Sequence, residues 1–265
     1  MSDIQLYNGD CLDILPTIGD GTVDAIITDL PYGTTNCKWD IIIPFEKLWE
    51  QFKRIRKPKC PSVLFGQEPF SSLLRMSNLG EYKYDWIWEK ERFSNVLCVK
   101  HVPGKVHELI SVFYKESPTY NPQMEARTGK EVKPNKIKDG KVGSVICSSG
   151  LKPKTYIDNG FRYPKSIIRI NRDILKGSFH PTQKPVELLE YLVKTYTNEG
   201  DVVLDATMGS GSTGIACKKL NRNFIGIEKD TKYFEIAKER IGNVKNCTYT
   251  WKFNRTYDQD DRGLH

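Results

Sequence analysis

VVLDATMGSGSTG, residues 202–214, is the stretch that decides the predicted fold. The run VVLDA predicts a buried strand, and the glycines after it have the Gly-x-Gly-x-x-Gly spacing that lets a backbone pass close beneath a ligand. A helical pattern follows, and Glu228 ends the next apolar run, where a carboxylate can accept both hydroxyls of a ribose. This order predicts a site for a nucleotide-like cofactor in an α/β fold.

Two classes of cofactor fit this glycine turn, and the surrounding residues separate them. A dinucleotide would place its pyrophosphate here, but the carboxylate of Asp205 would repel that group and suits the cationic ammonium of a methionine moiety. The chain of 265 residues also ends too soon after Glu228 to complete a sheet that begins at Val202. The missing strands must therefore come from the N-terminal part, in circularly permuted order, and a dehydrogenase becomes a remote alternative.

The chain divides into three parts by composition and periodicity. Residues 1–114 and 166–265 alternate short apolar runs with helical patterns, whereas residues 115–165 are rich in Lys, Gly, Pro, Ser and Asn without sustained periodicity. Strands alternating with helices predict a Rossmann-like parallel sheet covered on both faces, with 115–165 as an insert. The predicted strands are 4–7, 25–28, 63–66, 86–88, 109–114, 202–206 and 224–227, and the predicted helices are 45–55, 70–76, 185–196, 214–220 and 233–241.

Charge and cysteine usage limit the classes of function. The net charge is +7, and residues 115–165 alone contain eleven Lys and Arg against five Asp and Glu. The seven cysteines are scattered singly without a Cys-x-x-Cys pair, so neither a zinc site nor a disulfide framework is indicated, and no metal is expected. No apolar run is long enough to span a bilayer and no signal peptide is recognisable, so we expect a cytoplasmic protein without a membrane partner.

A second decisive stretch is VDAIITDLPYG, residues 23–33. A run of β-branched residues delivers an acid, a rigid proline and an aromatic ring to the carboxyl end of a strand, which is where open α/β sheets bind their ligands. By itself, the same pattern also fits a simple turn after a strand.

Three motifs together carry a family resemblance. Asp29-Leu30-Pro31-Tyr32 resembles the Asp-Pro-Pro-Tyr motif of amino-methylating DNA methyltransferases, and HPTQKP at 180–185 is similar to that family's His-Pro-Thr-x-Lys-Pro segment. The order of catalytic motif, variable region, this segment and glycine turn is that of the permuted β class, found in bacterial restriction–modification systems and phages. The resemblance implies a catalytic half at 1–114, a target-recognition insert at 115–165 and a cofactor-binding half at 166–265.

The resemblance also implies roles for the tetrapeptide. Asp29 and the main-chain carbonyl of Leu30 would accept hydrogen bonds from the target amino group of a flipped base, Pro31 would stiffen the turn, and Tyr32 would stack on the base. Leu30 replaces the family's first proline, and because a main-chain carbonyl makes the contact, we expect activity to survive.

S-adenosyl-L-methionine is the cofactor that the resemblance implies. Asp10 would contact its adenine, Glu228 would hold its ribose, and Thr182 and Lys184 would line its methionine end. The full set of implied cofactor contacts is Asp10, Asp29, Thr182, Lys184, Asp205, Thr207, Gly209, Ser210, Gly211, Ser212 and Glu228.

The expected macromolecular partner is DNA. The lysines of the insert suit phosphate contacts that fix position without reading sequence, and the polar loop 33–39 would close over the base or the DNA backbone. The predicted DNA contacts are Lys38, Trp39, Arg127, Lys130, Lys133, Lys136, Lys138, Lys141, Lys152, Lys154 and Arg162.

Adenine N6 is the preferred target atom. N4-cytosine enzymes of this type more often carry Ser where this chain has Asp29, so cytosine N4 is the alternative within the same class of enzyme. A protein that binds the cofactor and DNA without catalysis is the alternative from another class. The resemblance also allows a cognate restriction endonuclease and a homodimer as partners, and the sequence decides neither.

Overall fold

The computed structural model describes residues 2–35, 40–126, 160–172 and 183–244. Most of the predicted insert lies outside the described residues. The strands are β1 (Ile4–Asn8), β2 (Ala25–Thr28), β3 (Ser62–Gly66), β4 (Tyr82–Glu89), β5 (His107–Phe113), β6 (Glu125–Ala126), β7 (Phe161–Arg162), β8 (Ile167–Arg169), β9 (Val202–Asp205) and β10 (Asn223–Glu228). The α-helices are α1 (Cys11–Ile14), α2 (Phe45–Ile55), α3 (Phe70–Ser77), α4 (Val186–Tyr196), α5 (Ser212–Lys219) and α6 (Thr231–Gly242).

Among the described residues, eight strands form one sheet in the order β1-β10-β9-β2-β3-β5-β4-β8. All pairs from β1 to β3 are parallel, and so is the pair of β4 with β8. The late strands β9 and β10 lie between the early strands β1 and β2. The predicted Rossmann-like sheet in circularly permuted order is therefore confirmed.

One strand contradicts the expectation of a wholly parallel sheet. β5 runs antiparallel to both neighbours, β3 and β4. A parallel return needs a crossover, usually a helix, but residues 90–106 between β4 and β5 contain only the short 3₁₀ turn Val96–Cys98. The chain therefore turns back on itself here, and the sheet is mostly parallel.

The core lies on both faces of the sheet. Ala25 and Ile27 of β2 pack on the face covered by α4, α5 and α6, whereas Ile26 packs on the face covered by α2 and α3. Successive strand residues point to opposite faces, so a strand covered on both sides must be apolar throughout. This explains why the first three residues of β2 are all apolar.

The predicted bounds of β2 and α2 are confirmed at both ends, whereas six other elements (β3, β4, β5, β10, α5 and α6) begin one to four residues earlier than predicted. α5 begins at Ser212 and not at 214, because Gly211 has a φ of +80° and ends the turn there. β4 begins at Tyr82 and not at 86, because its first residues pair with β5 although they alternate aromatic and charged side chains.

The motifs meet where β2 and β9 lie side by side. β9 leads through α5 to β10 on one side, and β2 leads through α2 to β3 on the other. A switch of this kind opens a crevice at the carboxyl ends of parallel strands. Asp29 directly follows β2 and Asp205 ends β9, so both predicted motifs reach this crevice.

The described ends of the insert contain two short strands, β6 and β7, which pair with each other in a two-stranded sheet. Just after the insert, β8 joins the main sheet beside β4. The domain ranges 1–114, 115–165 and 166–265 stay a prediction. Among the described helices, none has the length and apolar character needed to cross a membrane.

Candidate active site

A cavity of about 580 Å³ opens at the carboxyl ends of β1, β2, β9 and β10. Its volume lies in the range of small-molecule sites, roughly 300–1,000 Å³. The structure thus brings the tetrapeptide and the cofactor motif into one wall, while Thr182 lies outside the described residues. The predicted residues that line the cavity are Asp10, Asp29, Leu30, Pro31, Tyr32, Lys184, Asp205, Thr207, Gly209, Ser210, Ser212 and Glu228.

The glycine turn has the backbone conformation that its spacing predicts. Gly209 and Gly211 have φ values of +54° and +80°, in the left-handed region that glycine adopts without steric cost. A Cβ atom on Gly211 would lie 2.9 Å from the Cβ of Ala237 in α6. Gly211 is therefore needed both for the turn and for the close packing of α6 against it.

Glu228 is fixed at the cavity wall by two main-chain amides. Its Oε2 accepts a hydrogen bond from the Gly209 amide and its Oε1 accepts one from the Asp230 amide, each 2.8 Å long. Burial raises the pKa of Glu228 while these amides oppose the rise. Each oxygen keeps acceptor capacity for a ligand, because a carboxylate has about four lone-pair sites.

Asp10 is a second anchored acid, just beyond β1. Its Oδ1 accepts a hydrogen bond of 2.9 Å from the Leu12 amide at the start of α1, and its Oδ2 lies 2.9 Å from Lys229 Nζ. The hydrogen bond from Lys229 lowers the pKa of Asp10 despite some burial. Because β1 pairs with β10, Asp10 and Glu228 follow neighbouring strands.

Asp205 lies deeper in the wall, only 3% exposed. Its Oδ1 accepts hydrogen bonds from the Thr28 hydroxyl (2.7 Å) and the Thr207 amide (3.2 Å), and its Oδ2 accepts one from the Thr213 hydroxyl (2.6 Å). Burial raises the pKa of Asp205 to about 6, although these donors oppose the rise. One lone pair of Oδ2 stays available for a ligand cation.

Thr207 joins the cofactor motif to the tetrapeptide. Its hydroxyl donates to the main-chain carbonyl of Asp29 (2.9 Å), and it also lies 2.9 Å from the Thr28 hydroxyl. The two threonine hydroxyls thus take part in three contacts, since Thr28 also donates to Asp205. Between them they have only two hydroxyl protons to donate. A proton on Asp205 would supply the third, because Thr28 could then donate to Thr207.

The Asp29 carboxylate is held on both of its oxygens. Oδ1 accepts a hydrogen bond of 2.6 Å from the Tyr32 hydroxyl, and Oδ2 lies 2.7 Å from Lys184 Nζ. Burial raises the pKa of Asp29, and the Lys184 ammonium opposes that rise. The Tyr32 ring also packs against Phe70, with ring centroids 5.0 Å apart.

A buried network behind Asp29 was not predicted from the sequence. Lys184 Nζ also lies 3.1 Å from Glu108 Oε2, and the other oxygen of Glu108 pairs with Lys90 Nζ and accepts from Gln67 Nε2 at 3.3 Å. The sequence resemblance assigned no chemistry to Gln67 or Lys90. The available signal was a pair of charged residues, Lys90 directly after β4 and Glu108 near the start of β5, because the end of β4 pairs with the start of β5.

Asp40 is another residue that the sequence did not single out. Its carboxylate accepts hydrogen bonds of 2.7–2.9 Å from the amides of Gly33, Thr34 and Thr35. Burial would raise the pKa of Asp40, but these donors lower it below its ordinary value. Asp40 thus fixes the start of the predicted loop 33–39.

Among the predicted DNA contacts, the structure describes Arg162, a half-buried residue of β7. Lys38 and Trp39 lie outside the described residues, as do Arg127, Lys130, Lys133, Lys136, Lys138, Lys141, Lys152 and Lys154. Gln183 is a further lining residue that was not predicted, and its Oε1 accepts a hydrogen bond of 3.0 Å from the Ser210 hydroxyl.

Across the described residues of the chain, no group of three or more His, Cys, Asp or Glu side chains is arranged to hold a metal ion. Cys11 lines the cavity, and burial raises the pKa of its thiol to about 12.

Comparison with known proteins extends these observations. A sequence profile of the N6/N4 methyltransferase family, described as DNA methylase, matches residues 23–239. The chain is 28% identical over 257 residues to the type II methyltransferase M.HpaI of Haemophilus parainfluenzae, covering 92% of this chain and 76% of that protein. It is 26% identical over 306 residues to M.HindIII of Haemophilus influenzae, covering 92% of this chain and 97% of that protein.

A solved structure also resembles this chain. The crystal structure of an M1.HpyAVI–SAM complex superposes with a TM-score of 0.59 and 28% sequence identity, covering 91% of this chain and all of that one. The profile match over residues 23–239 includes both the tetrapeptide and the glycine turn.

Proposed function

The chain belongs to the N6/N4 DNA methylase family, and from this premise we propose that it transfers a methyl group from S-adenosylmethionine to N6 of an adenine flipped out of DNA. The observation that carries the proposal is the position of Asp29. Its carboxylate lines the same cavity as the glycine turn, and its main chain is hydrogen-bonded to Thr207 beside that turn. An amino group bound to Asp29 therefore lies next to the cofactor site.

The residues of the cavity fit S-adenosylmethionine. Asp10 and Glu228 are anchored acids with acceptor capacity for the adenine amino group and the ribose hydroxyls. Asp205 offers a lone pair to the methionine ammonium, and it would repel the pyrophosphate of a dinucleotide. The glycine turn allows a ligand to approach the main chain at Gly209, which lines the cavity and has no side chain, whereas Gly211 is not among the described lining residues and faces α6.

Asp29 and Leu30 would make the target nitrogen reactive. An exocyclic amino nitrogen is a poor nucleophile because its lone pair is delocalised into the base. Asp29 Oδ1 and the main-chain carbonyl of Leu30 would accept hydrogen bonds from its two N–H groups, which favours a pyramidal nitrogen with its lone pair directed at the methyl group. As the nitrogen–methyl bond forms and the sulfur–methyl bond breaks, one of these protons would leave the nitrogen through Asp29 to solvent. When bound, the cofactor supplies that methyl group on a sulfonium, a good leaving group. Alignment and electrostatics then carry the reaction.

Tyr32 would replace the stacking that a base loses when it leaves the duplex. Its hydroxyl now donates to Asp29 Oδ1. The incoming amino group would share that oxygen or displace the hydroxyl, since Oδ2 is held by Lys184. Tyr32 therefore both covers the base site and keeps Asp29 oriented before the base arrives.

Methylation at cytosine C5 requires a thiolate nucleophile. Among the described residues, Cys11 is the cysteine that lines the cavity, and its burial favours the protonated thiol by raising its pKa to about 12. Asp29 at the head of the tetrapeptide favours adenine N6 over cytosine N4.

The lysine-rich insert 115–165 is the proposed target-recognition region, between a catalytic half (1–114) and a cofactor half (166–265). Its excess positive charge suits the DNA backbone. A cognate restriction endonuclease and a homodimer are further proposals, and they rest on the similarity to type II methyltransferases.

The test is methylation of unmodified plasmid DNA with S-adenosylmethionine, followed by single-molecule mapping of modified bases. We expect N6-methyladenine in one sequence context. Asp29→Ala should abolish methylation while DNA binding and S-adenosylhomocysteine binding persist. Asp20→Ala is the matched control, because Asp20 is an exposed residue paired with Arg54 outside the cavity lining.

Three results would replace the proposal. N4-methylcytosine in the map would assign the alternative target. Binding of cofactor and DNA without any methylation would identify a non-catalytic protein. If calorimetry showed binding of NAD and none of S-adenosylhomocysteine, the glycine turn would be assigned to a dinucleotide cofactor.

A further inference from the structure

Glu108 lies behind the cavity wall and contacts the lining residue Lys184. It is 6% exposed, at the start of β5, and the described residues that line the cavity do not include it. Its Oε2 lies 3.1 Å from Lys184 Nζ, which in turn lies 2.7 Å from Asp29 Oδ2. Lys184 therefore places one ammonium between two carboxylates.

The cluster is balanced in charge. Lys184 and Lys90 carry two positive charges, and Asp29 and Glu108 carry two negative charges. Burial alone would lower the pKa of Lys184, but Asp29 and Glu108 outweigh it and raise that pKa. Burial likewise would raise the pKa of Glu108, but Lys184 and Lys90 lower it to about 2. Opposite charges thus lie side by side in this buried cluster, and removal of one partner leaves a buried charge uncompensated.

We propose that Glu108 is a positioning residue for methyl transfer, which holds the Lys184 ammonium in place and shares it, so that Asp29 keeps acceptor strength for the target amino group. The inference rests on the proposed role of Asp29. Without Glu108, Lys184 would donate to Asp29 alone, and the carboxylate would attract the amino hydrogens less strongly. Gln67, which donates to Glu108 and accepts from Lys105 Nζ at 2.7 Å, fixes the orientation of the Glu108 carboxylate.

Removal of the Glu108 charge should also shift the titration of Asp29. The negative charge of Glu108 contributes to the raised pKa of Asp29, so its removal lowers that pKa. The charged or titratable groups that face this pair from the surrounding elements are Tyr32, Lys90, Lys105, Lys184 and Asp205. Substitution of Glu108 alone leaves all of them in place.

The experiment compares Glu108→Gln with Glu81→Gln. Glu81 is also a carboxylate of low exposure paired with a buried arginine, Arg56, but it lies away from the cavity lining. For Glu108→Gln we expect kcat to fall about 10-fold, KM for the cofactor to stay within about 2-fold, and the acid limb of the kcat–pH profile to move to lower pH. Glu108→Asp, which keeps the charge, should restore part of kcat. Glu81→Gln should change only the melting temperature.

A second readout does not depend on activity. The ¹³Cγ resonance of Asp29, assigned through Asp29→Asn, should titrate at lower pH in Glu108→Gln than in the wild type. If Glu108→Gln fails to fold, the double variant Glu108→Gln/Lys90→Met removes both charges of that pair and should show the same shift.

An acid limb and an Asp29 titration that both match the wild type would overturn the inference, even if kcat falls. A wild type without any methylation would instead refute the proposed function, while the Asp29 titration would still report on Glu108.

Discussion

The Thr207 hydroxyl donates a hydrogen bond of 2.9 Å to the main-chain carbonyl of Asp29, from which it is separated by 178 residues of sequence. The cofactor motif and the tetrapeptide are thus joined directly, at the point where β9 and β2 lie side by side. Their relative position determines how the amino nitrogen and the methyl group meet, and small displacements there are costly for a transfer that depends on alignment.

Thr207→Val should therefore reduce kcat about 10-fold, since valine keeps the shape of threonine and lacks the hydroxyl. KM for S-adenosylmethionine should change by less than about 3-fold. Steady-state kinetics measure both. Thr22→Val is the control, because the Thr22 hydroxyl bonds to Gly19 in an exposed turn (2.8 Å). Equal kcat values for the two variants would contradict the prediction.

Tyr32 should act mainly through its ring. Tyr32→Phe removes the hydrogen bond to Asp29 Oδ1 but keeps the stacking surface, so kcat should stay within about 3-fold of the wild type. Tyr32→Ala should weaken binding of the target DNA by about 10-fold or more, because aromatic stacking on a base contributes about 1–3 kcal/mol. Fluorescence anisotropy and initial rates test the pair. A Tyr32→Phe variant as defective as Tyr32→Ala would assign the hydroxyl the larger role.

Asp205 should make stability depend on pH. Its pKa in the folded protein is about 6, above the ordinary aspartate value of 3.8, so the folded state binds the proton more tightly than the unfolded state. The stabilising contribution of that proton is full below about pH 4 and disappears as pH rises through about 6, a change of about 3 kcal/mol.

Urea unfolding at several pH values measures this contribution. The free energy of unfolding of Asp205→Asn, relative to the wild type, should increase between pH 4 and pH 6.5. Asp13→Asn, at an exposed residue of α1, should keep a constant difference from the wild type. A constant difference for Asp205→Asn as well would show that Asp205 is ionised throughout this range.

Gly211→Ala should damage both stability and the cofactor site. Alanine would have to adopt a φ of +80°, and its Cβ would lie 2.9 Å from Ala237 Cβ. We expect a decrease of about 2 kcal/mol or more in the free energy of unfolding, and calorimetry should show at least about 10-fold weaker S-adenosylhomocysteine binding. Gly242→Ala is the control, since nothing lies within 4 Å of its added Cβ. Similar decreases in the two variants would refute a special role for the turn.

DNA affinity should fall steeply with added salt, because the insert offers mainly lysines. Replacement of Lys152 or Lys154 by alanine should reduce the slope of log K against log salt by about 1 for each DNA phosphate that the lysine had neutralised. Lys59→Ala is the control, because Lys59 precedes β3 at the amino-terminal end of the strands, whereas the cavity opens at their carboxyl ends. If the insert variants left the slope of log K against log salt unchanged, the DNA contacts would have to lie outside the insert.

The sequence predicted those parts of the fold that depend on local pattern. β2 and α2 were predicted at their observed bounds, because an apolar run and a helical period are local properties. The antiparallel direction of β5 could not be predicted in this way, since it depends on how the chain returns through residues 90–106. The start of α5 depended on a backbone angle at Gly211 that spacing alone does not give.

The same distinction between local pattern and tertiary contact applies to the residues of the candidate site. Asp29 and Asp205 were found because each ends a strand within a recognisable motif. Glu108, Lys90 and Asp40 were not found, because their importance comes from tertiary contacts with Lys184 and with the amides of loop 33–35. A buried Glu inside an apolar strand is the local feature that would have drawn attention to Glu108.

The pairing of β1 with β10 has a consequence for biosynthesis. Asn8 bonds to the carbonyl of Glu228, 220 residues later in the chain, and Asp10 pairs with Lys229. At translation rates of about 5–20 residues per second, β1 emerges from the ribosome on the order of 10–40 s before its partner strand exists. During that interval β1 is an open edge available to chaperones or to neighbouring nascent chains. The part of the cavity that Asp10 and Glu228 line is then completed only after β10 has been translated.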